Sequence, residues 1–517
     1  MLSRRQFLMQ TGMLAGGTYP AMLAMGMLPH APVNDIPSEP TTKQKKIIIL
    51  GAGLTGMTAA YELNRLGYDC TVLEARDRAG GRCWSVRKNS RNTETGNMSQ
   101  TCNFDEGLYY NAGPSRIPHH HELTLHYCKE LKVPLQVYNN INEAAYYYSE
   151  SNGPLGNRKI RIREVHNDVR GYMAELLAKA VDTRQLDLPM SREDAEKIIE
   201  YLKAEGGLDP DKAYRASSRR GYTLSPGPGL QEGTIANAYP LSAILGSGLL
   251  DPDFYNVAEY TYDLQMTMLQ AEGGMDRIAK ALETKVEHLV QYNAAVTRIT
   301  NTAEGVSIDY TGSDGTKNIS GDYCLCSIPL PVLSNIDHNF SSAASRAIDS
   351  ISYISTGKIG LQFKRRFWEE DEQVYGGITH TNNELGQIFY PSNDYQSNKG
   401  VLVGYYNFNA RAEQVAALPF AGREQLALTK GALIHPQYPA EFETSFSVSW
   451  QKTRYSLGGW AVYSAGERQT LYRDLLQPDK QVYFAGEHLT YLNAWMAGAF
   501  ESARAVVGAI HRRVAQT

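Results

Sequence analysis

Cysteine is scarce in this chain, with six among 517 residues: Cys70, Cys83, Cys102, Cys128, Cys324 and Cys326. They are few for the length and lack the spacing of a metal site. Cys324 and Cys326 fall on one face of an expected strand, which suits packing. Which cysteines an exported protein would join is left open. An excess of charge is also missing. Lys and Arg number 51 against 55 Asp and Glu, a net charge of −4, which gives no reason to expect nucleic acid. His119, His120 and His121 form a run at an expected helix start. Three adjacent residues point in different directions on a helix, so no metal site is expected there. No nucleophile motif stands out in the helical-looking stretch from about Leu123 to Thr284. What remains is a globular composition, 42% hydrophobic and 21% charged, long enough for about two or three domains.

Glycine, in contrast, is concentrated where it carries information. Lys46 to Arg82 reads KIIILGAGLTGMTAAYELNRLGYDCTVLEARDRAGGR. Ile47 to Leu50 is a short, continuous apolar run, the mark of a strand buried on both faces. Gly51, Gly53 and Gly56 follow as G-x-G-x-x-G. The first allows a tight turn, the second lets backbone approach a pyrophosphate, and the third lets the next helix pack closely on the strand. From Thr55 a helix is expected, with Ala59, Leu63 and Leu66 on one face and Gly67 as its C-terminal cap. A second strand, Cys70 to Leu73, ends at Glu74, where this motif needs a carboxylate for a ribose 2'-hydroxyl. Glu74 also disfavours NADP, whose extra phosphate it would repel.

The continuation RDRAGGR, Arg76 to Arg82, resembles the second glycine motif that follows the Rossmann unit in flavin amine oxidases. That resemblance implies FAD, held by Gly51, Gly53, Leu54, Thr55, Gly56, Glu74, Ala75, Arg76, Gly81 and Arg82. It strengthens at FDEGLYYNAGPSRIP, Phe104 to Pro118. Gly113, Pro114, Ser115 and Arg116 match the G-P-x-R form of the L-amino-acid oxidase branch, which runs under the flavin and supplies an arginine for the substrate carboxylate. A guanidinium is a permanent cation with a planar fork of donors, able to bind a carboxylate through two parallel bonds. The alternative is that Arg116 pairs with Asp105 or Glu106.

Lys358 lies inside an otherwise apolar run, ISTGKIGLQFKRRFW. It matches the family lysine that holds a water against flavin N5 and assists reaction with oxygen; a surface lysine on an alternating strand is the rival. By the same resemblance Tyr390 supports the carboxylate, although the adjacent aromatics leave the register open by one residue. Trp450 and Trp495 wall the substrate and Val296 lies near the adenine. Gly486 and Glu487 match the last FAD-binding element, in which Glu487 would accept from the ribityl chain and the backbone around Trp495 and Met496 would meet the flavin pyrimidine. Ala494 stands where a glycine is frequent, at a backbone contact with the substrate amine.

The fold implied is α/β, a Rossmann-type FAD-binding domain with a mixed-sheet substrate domain and a helical insertion. FAD-binding parts are expected at 43–122, 286–345 and 471–517, a helical region on the substrate-access path at 123–285, and the substrate-binding domain at 346–470. Ser3-Arg4-Arg5-Gln6-Phe7-Leu8 resembles a twin-arginine export signal. Residues 1–30 are therefore expected to direct export to the periplasm or beyond through the twin-arginine machinery, with 31–42 as a linker. A retained membrane anchor is the other reading. The resemblance implies oxidation of L-amino acids by hydride transfer from Cα to flavin N5, with molecular oxygen as acceptor, and a possible homodimer. The products would be a 2-oxo acid, ammonia and hydrogen peroxide. A monoamine or polyamine oxidase, or an exported flavoprotein that oxidises no amine, are the alternatives.

Overall fold

The computed structural model describes residues 39–185, 190–254, 261–312 and 315–516. The expected export signal and most of the linker lie outside them. Five strands form a parallel sheet in the order Val290–Gln291, Asp69–Leu73, Lys46–Leu50, Tyr323–Cys326, Val482–Phe484. The apolar run at its centre serves two cores at once. Ile47 and Ile49 pack with Cys70, Val72 and Leu325 under the helices Leu54–Arg65, Asp276–Val286 and Met496–Gln516. Ile48 and Leu50 face the other way, with Leu73, Cys324 and Cys326. There they meet a mixed sheet of four strands built on the antiparallel pair Ala295–Asn301 and Val306–Gly312. Alternation inside a uniformly apolar strand is what a sheet covered on both faces requires. All six cysteines are buried and unbridged.

A second sheet of seven strands is mixed. Its order is Lys159–Arg161, Tyr146–Tyr148, Ile378–Thr381, Gln387–Phe389, Gly400–Phe408, Thr356–Phe363, Phe442–Ser449. Strand Thr356–Phe363, between Gly400–Phe408 and Phe442–Ser449, is buried along its whole length, which places Lys358 in the interior instead of on an alternating surface.

Segment 123–285 holds more than helices. Helices Ile162–Asp182 and Arg192–Gly206 pack together, the second capped by Ser191 Oγ, which accepts from Asp194 N at 3.1 Å. Tyr146–Tyr148 and Lys159–Arg161, however, belong to the seven-stranded sheet. Leu135–Tyr138 and Met268–Ala271 form a small sheet with Ile117–Pro118. Helix Asp276–Val286 has already returned to the dinucleotide side, against Leu54–Arg65. Strand pairing here is non-local, so helical periodicity along the sequence does not reveal it. Among the described residues no helix is long and apolar enough to cross a membrane.

The hairpin of Arg91–Thr93 and Ser99–Thr101 is fastened from behind. Glu94 accepts from Arg423 Nη1 and Nη2 at 2.6 and 2.8 Å, both side chains fully buried. The hairpin in turn holds loop 451–458 through Thr95 N to Lys452 O and Arg454 N to Thr93 O. That loop forms one wall of the site.

Candidate active site

The parallel strands Lys46–Leu50, Asp69–Leu73 and Val482–Phe484 deliver Gly51, Glu74 and Gly486 to one edge of the sheet, where doubly wound folds bind ligands. There a cavity of about 410 Å³ runs from Glu74 to Lys358 and Trp450 on the second sheet. Its walls include Gly51, Gly53, Leu54, Thr55, Glu74, Ala75, Arg76, Gly81, Arg82, Gly113, Pro114, Val296, Gly486, Glu487, Ala494, Trp495 and Met496.

The three motif glycines differ in what a side chain would meet. Gly51 has φ +98°, a left-handed conformation that disfavours a Cβ. At Gly56 a Cβ would stand 1.9 Å from Gly51 O, so helix and loop touch through backbone. At Gly53 nothing lies within 4 Å of a Cβ; that space belongs to the cavity. The first turn of helix Leu54–Arg65 opens on it, and its N–H groups and dipole suit an anionic phosphate. Gly56 itself is packing and does not line the cavity. The Glu74 carboxylate is held in place by Ala52 N at 2.8 Å and Arg76 N at 2.9 Å, the position a ribose acceptor needs. Arg82 donates to Glu487 Oε1 at 2.9 Å and to Gly459 O at 2.6 Å. Glu487 Oε2 accepts from Ala494 N at 3.2 Å. Glu487 thus couples the second glycine motif to the turn before helix Met496–Gln516, whose first residues line the far end. Ala494 has φ +72°, the left-handed region that favours glycine.

At the other end stand two cations. Lys358 is 2% exposed, and its Nζ donates to Asn111 O at 3.1 Å, Gly113 O at 2.6 Å and Ser115 Oγ at 3.0 Å. It also lies 4.4 Å from the ring centroid of Tyr406. Burial, and then the charge of Arg116, lowers its pKa to about 7. Ser115 therefore serves Lys358 and is not a wall of the cavity. Arg116 stands just beyond the walls, its guanidinium carbon 5.9 Å from the rings of both Trp495 and Phe389. Its Nε is buried without a partner, and among the described residues no carboxylate pairs with it. Asp105 pairs instead with Lys399 at 2.7 Å, and Glu106 is exposed. Trp450 donates from Nε1 to Ala112 O at 3.0 Å and closes the same end.

Tyr390 does not belong here. Its hydroxyl is bonded to Thr379 Oγ1 at 2.8 Å and His435 Nε2 at 2.7 Å, within the core behind the seven-stranded sheet. Adjacent residues at a strand end face opposite sides, so Phe389 takes the Arg116 side and Tyr390 the other. Hydroxyls near Arg116 come from residues the sequence did not single out. Tyr138 is buried, which raises its pKa, while Arg116 beside it acts to lower it. Tyr406 pairs directly with Lys358 across two strands. The alternation in GVLVGYYNF signals a strand, but not which strand it joins.

Residues 54–511 match the family described as flavin containing amine oxidoreductase. A putative L-amino-acid oxidase of Bacillus subtilis is 27% identical over 483 residues, covering 90% of this chain and 95% of that one. The L-amino acid oxidase of Bothrops pictus is 27% identical over 477 residues, covering 89% of each. Two solved structures are similar in fold. A putrescine oxidase redesigned in its cofactor binding has TM-score 0.60 at 17% identity, covering 91% of this chain and 99% of that one. Cyclohexylamine oxidase from Brevibacterium oxydans has TM-score 0.60 at 15% identity, covering 91% and 100%. The cofactor is FAD, and the open space at Gly53, the anchored Glu74 carboxylate and the two helix starts fit it.

Proposed function

The chain belongs to the flavin-containing amine oxidoreductase family, and we propose that it is an FAD-dependent oxidase of L-amino acids. One observation carries the proposal: among the described residues Arg116 is a cation with no acid paired to it, facing Trp495 at the substrate end. A substrate carboxylate would complete it through charge-assisted bonds. A simple amine, cationic in solution, would be repelled by Arg116 and by Lys358 when it is protonated. Relatives named as L-amino-acid oxidases support the same direction.

FAD, when bound, supplies the acceptor for the electrons of the substrate Cα–H and the reaction with oxygen. The chain supplies the rest. Arg116 fixes the carboxylate, with Tyr138 next to it. Trp450 and Trp495 exclude water and restrict the orientation of the substrate. Lys358, with a pKa of about 7, can hold or release a proton at Nζ near neutrality. The products are a 2-oxo acid, ammonia and hydrogen peroxide. We further propose export through the signal at Ser3 to Leu8, to be tested by fractionating cells that express an Arg4→Lys, Arg5→Lys variant.

Peroxide release from L-phenylalanine and from phenethylamine tests the substrate class, because the two differ only by the carboxylate. The expected kcat/KM ratio favours the amino acid by ~100-fold, equivalent to about 2.7 kcal/mol. Equal or reversed values would remove the role of Arg116.

A further inference from the structure

His119, His120 and His121 stand in a turn ahead of helix Glu122–Glu130, not within it. The helical geometry that would splay them apart does not operate. The rings pack edge to face instead, with centroids 4.8 Å apart for His120 and His121 and 5.2 Å for His119 and His120. From the turn Tyr262–Leu264, Asp263 Oδ1 comes to 2.9 Å from His120 Nε2, and the ring of Tyr262 lies 4.1 Å over that of His120.

Two imidazole nitrogens in this cluster are buried without a partner, His120 Nδ1 and His121 Nε2. His121 is only 3% exposed. Buried ring nitrogens normally find a partner, so the orphaned His121 Nε2 points to a missing ligand beside the His120–Asp263 pair. One atom each from His120, His121 and Asp263 can be chosen so that all lie within 4.8 Å of one another. Ligands on a zinc-sized ion sit closer, at bond lengths of about 2.0–2.2 Å, which modest side-chain rotations can reach. Two imidazoles and a carboxylate suit a borderline transition ion and not calcium or magnesium, which take oxygen ligands. Asp263 is part-exposed, with 29% of its side chain accessible, so an ion has a path from solvent.

We propose that His120, His121 and Asp263 form a binding site for a zinc-class divalent cation, with the fourth position left to water. The site would fasten the turn at Tyr262–Leu264 to the segment that carries Arg116. His121 also touches the substrate wall, its ring centroid 5.0 Å from that of Trp495. The ion would therefore lie one side chain away from the substrate end and hold that wall still.

The site does not depend on which amine is oxidised, and its test is separate from activity. FAD-loaded enzyme is treated with a chelator, dialysed, and titrated with zinc chloride in a calorimeter, alongside Asp263→Asn and His120→Gln variants whose bound FAD is measured first. The wild type is expected to take up one zinc per chain at micromolar concentration or below, with each variant weakened at least tenfold. No uptake by the wild type overturns the site. So does a zinc affinity left unchanged in Asp263→Asn, a variant of a part-exposed residue that leaves the core intact.

Discussion

At the Glu74 end of the cavity the surfaces that would meet a ligand are largely backbone: the left-handed Gly51, the open Gly53 and the first turn of a helix. At the Lys358 end they are side chains brought from distant segments, Arg116, Tyr406, Trp450 and Trp495, with Tyr138 beside Arg116. The first end carries one carboxylate held by amide hydrogens; the second carries two cations with no acid paired to them among the described residues. One end is a cradle set by local conformation, and the other is set by strand register. The difference decides how each responds to substitution.

The glycines offer the sharpest contrast. Gly56→Ala would push a Cβ to 1.9 Å from Gly51 O, with no flexible side chain to yield, and is expected to leave little soluble protein. Gly53→Ala fills only the cavity, so the chain should fold while FAD binds at least ~10-fold more weakly, about 1.4 kcal/mol. Flavin-to-protein ratios and circular dichroism of both variants check this; equal behaviour would mean that both glycines serve packing.

Next comes Arg116. Arg116→Ala should raise KM for L-amino acids by ~100-fold, the scale of a lost charge-assisted pair, while FAD stays bound. Lys358→Met should slow flavin reoxidation more than reduction in rapid-mixing experiments. Its pKa, lowered from 10.5 to about 7, also has a signed consequence for stability. Between these values the unfolded chain holds the proton and the folded chain does not, so stability rises with pH across that window. The Met variant should lose that slope in denaturant titrations.

Smaller effects separate the two faces of the second sheet. Tyr390→Phe strips a partner from His435 and Thr379 and should cost ~1–2 kcal/mol of stability, with KM within twofold of the wild type. A large KM change would return Tyr390 to the site. Least of all, Ala494→Gly relieves a left-handed alanine and should stabilise by about 0.5–1 kcal/mol in thermal unfolding.

The same contrast explains what was legible in the sequence. The G-x-G-x-x-G turn, Glu74 and the apolar strand before them are local, and each stands where its spacing put it. Lys358 was visible as a charge inside an apolar run. Tyr390 falls outside the site because a single residue of register exchanges it with Phe389, and that register is set by the flanking strands Ile378–Thr381 and Gly400–Phe408. Tyr406 was overlooked because only the pairing of strands Thr356–Phe363 and Gly400–Phe408 sets it opposite Lys358. The pattern after the three histidines suggests a helix start at them, whereas the helix begins with the next residue, Glu122. The strands inside 123–285 escaped for the same reason as Tyr406.

The most direct test of the substrate end is anaerobic. Wild-type enzyme and Arg116→Ala are each mixed with L-phenylalanine or phenethylamine while the oxidised-flavin absorption is followed. Rapid bleaching of the wild type by the amino acid, lost in the variant at the same concentration, is the predicted result. Bleaching of the wild type by the amine alone, with the variant unchanged, would contradict it and make Arg116 a structural residue of an amine oxidase.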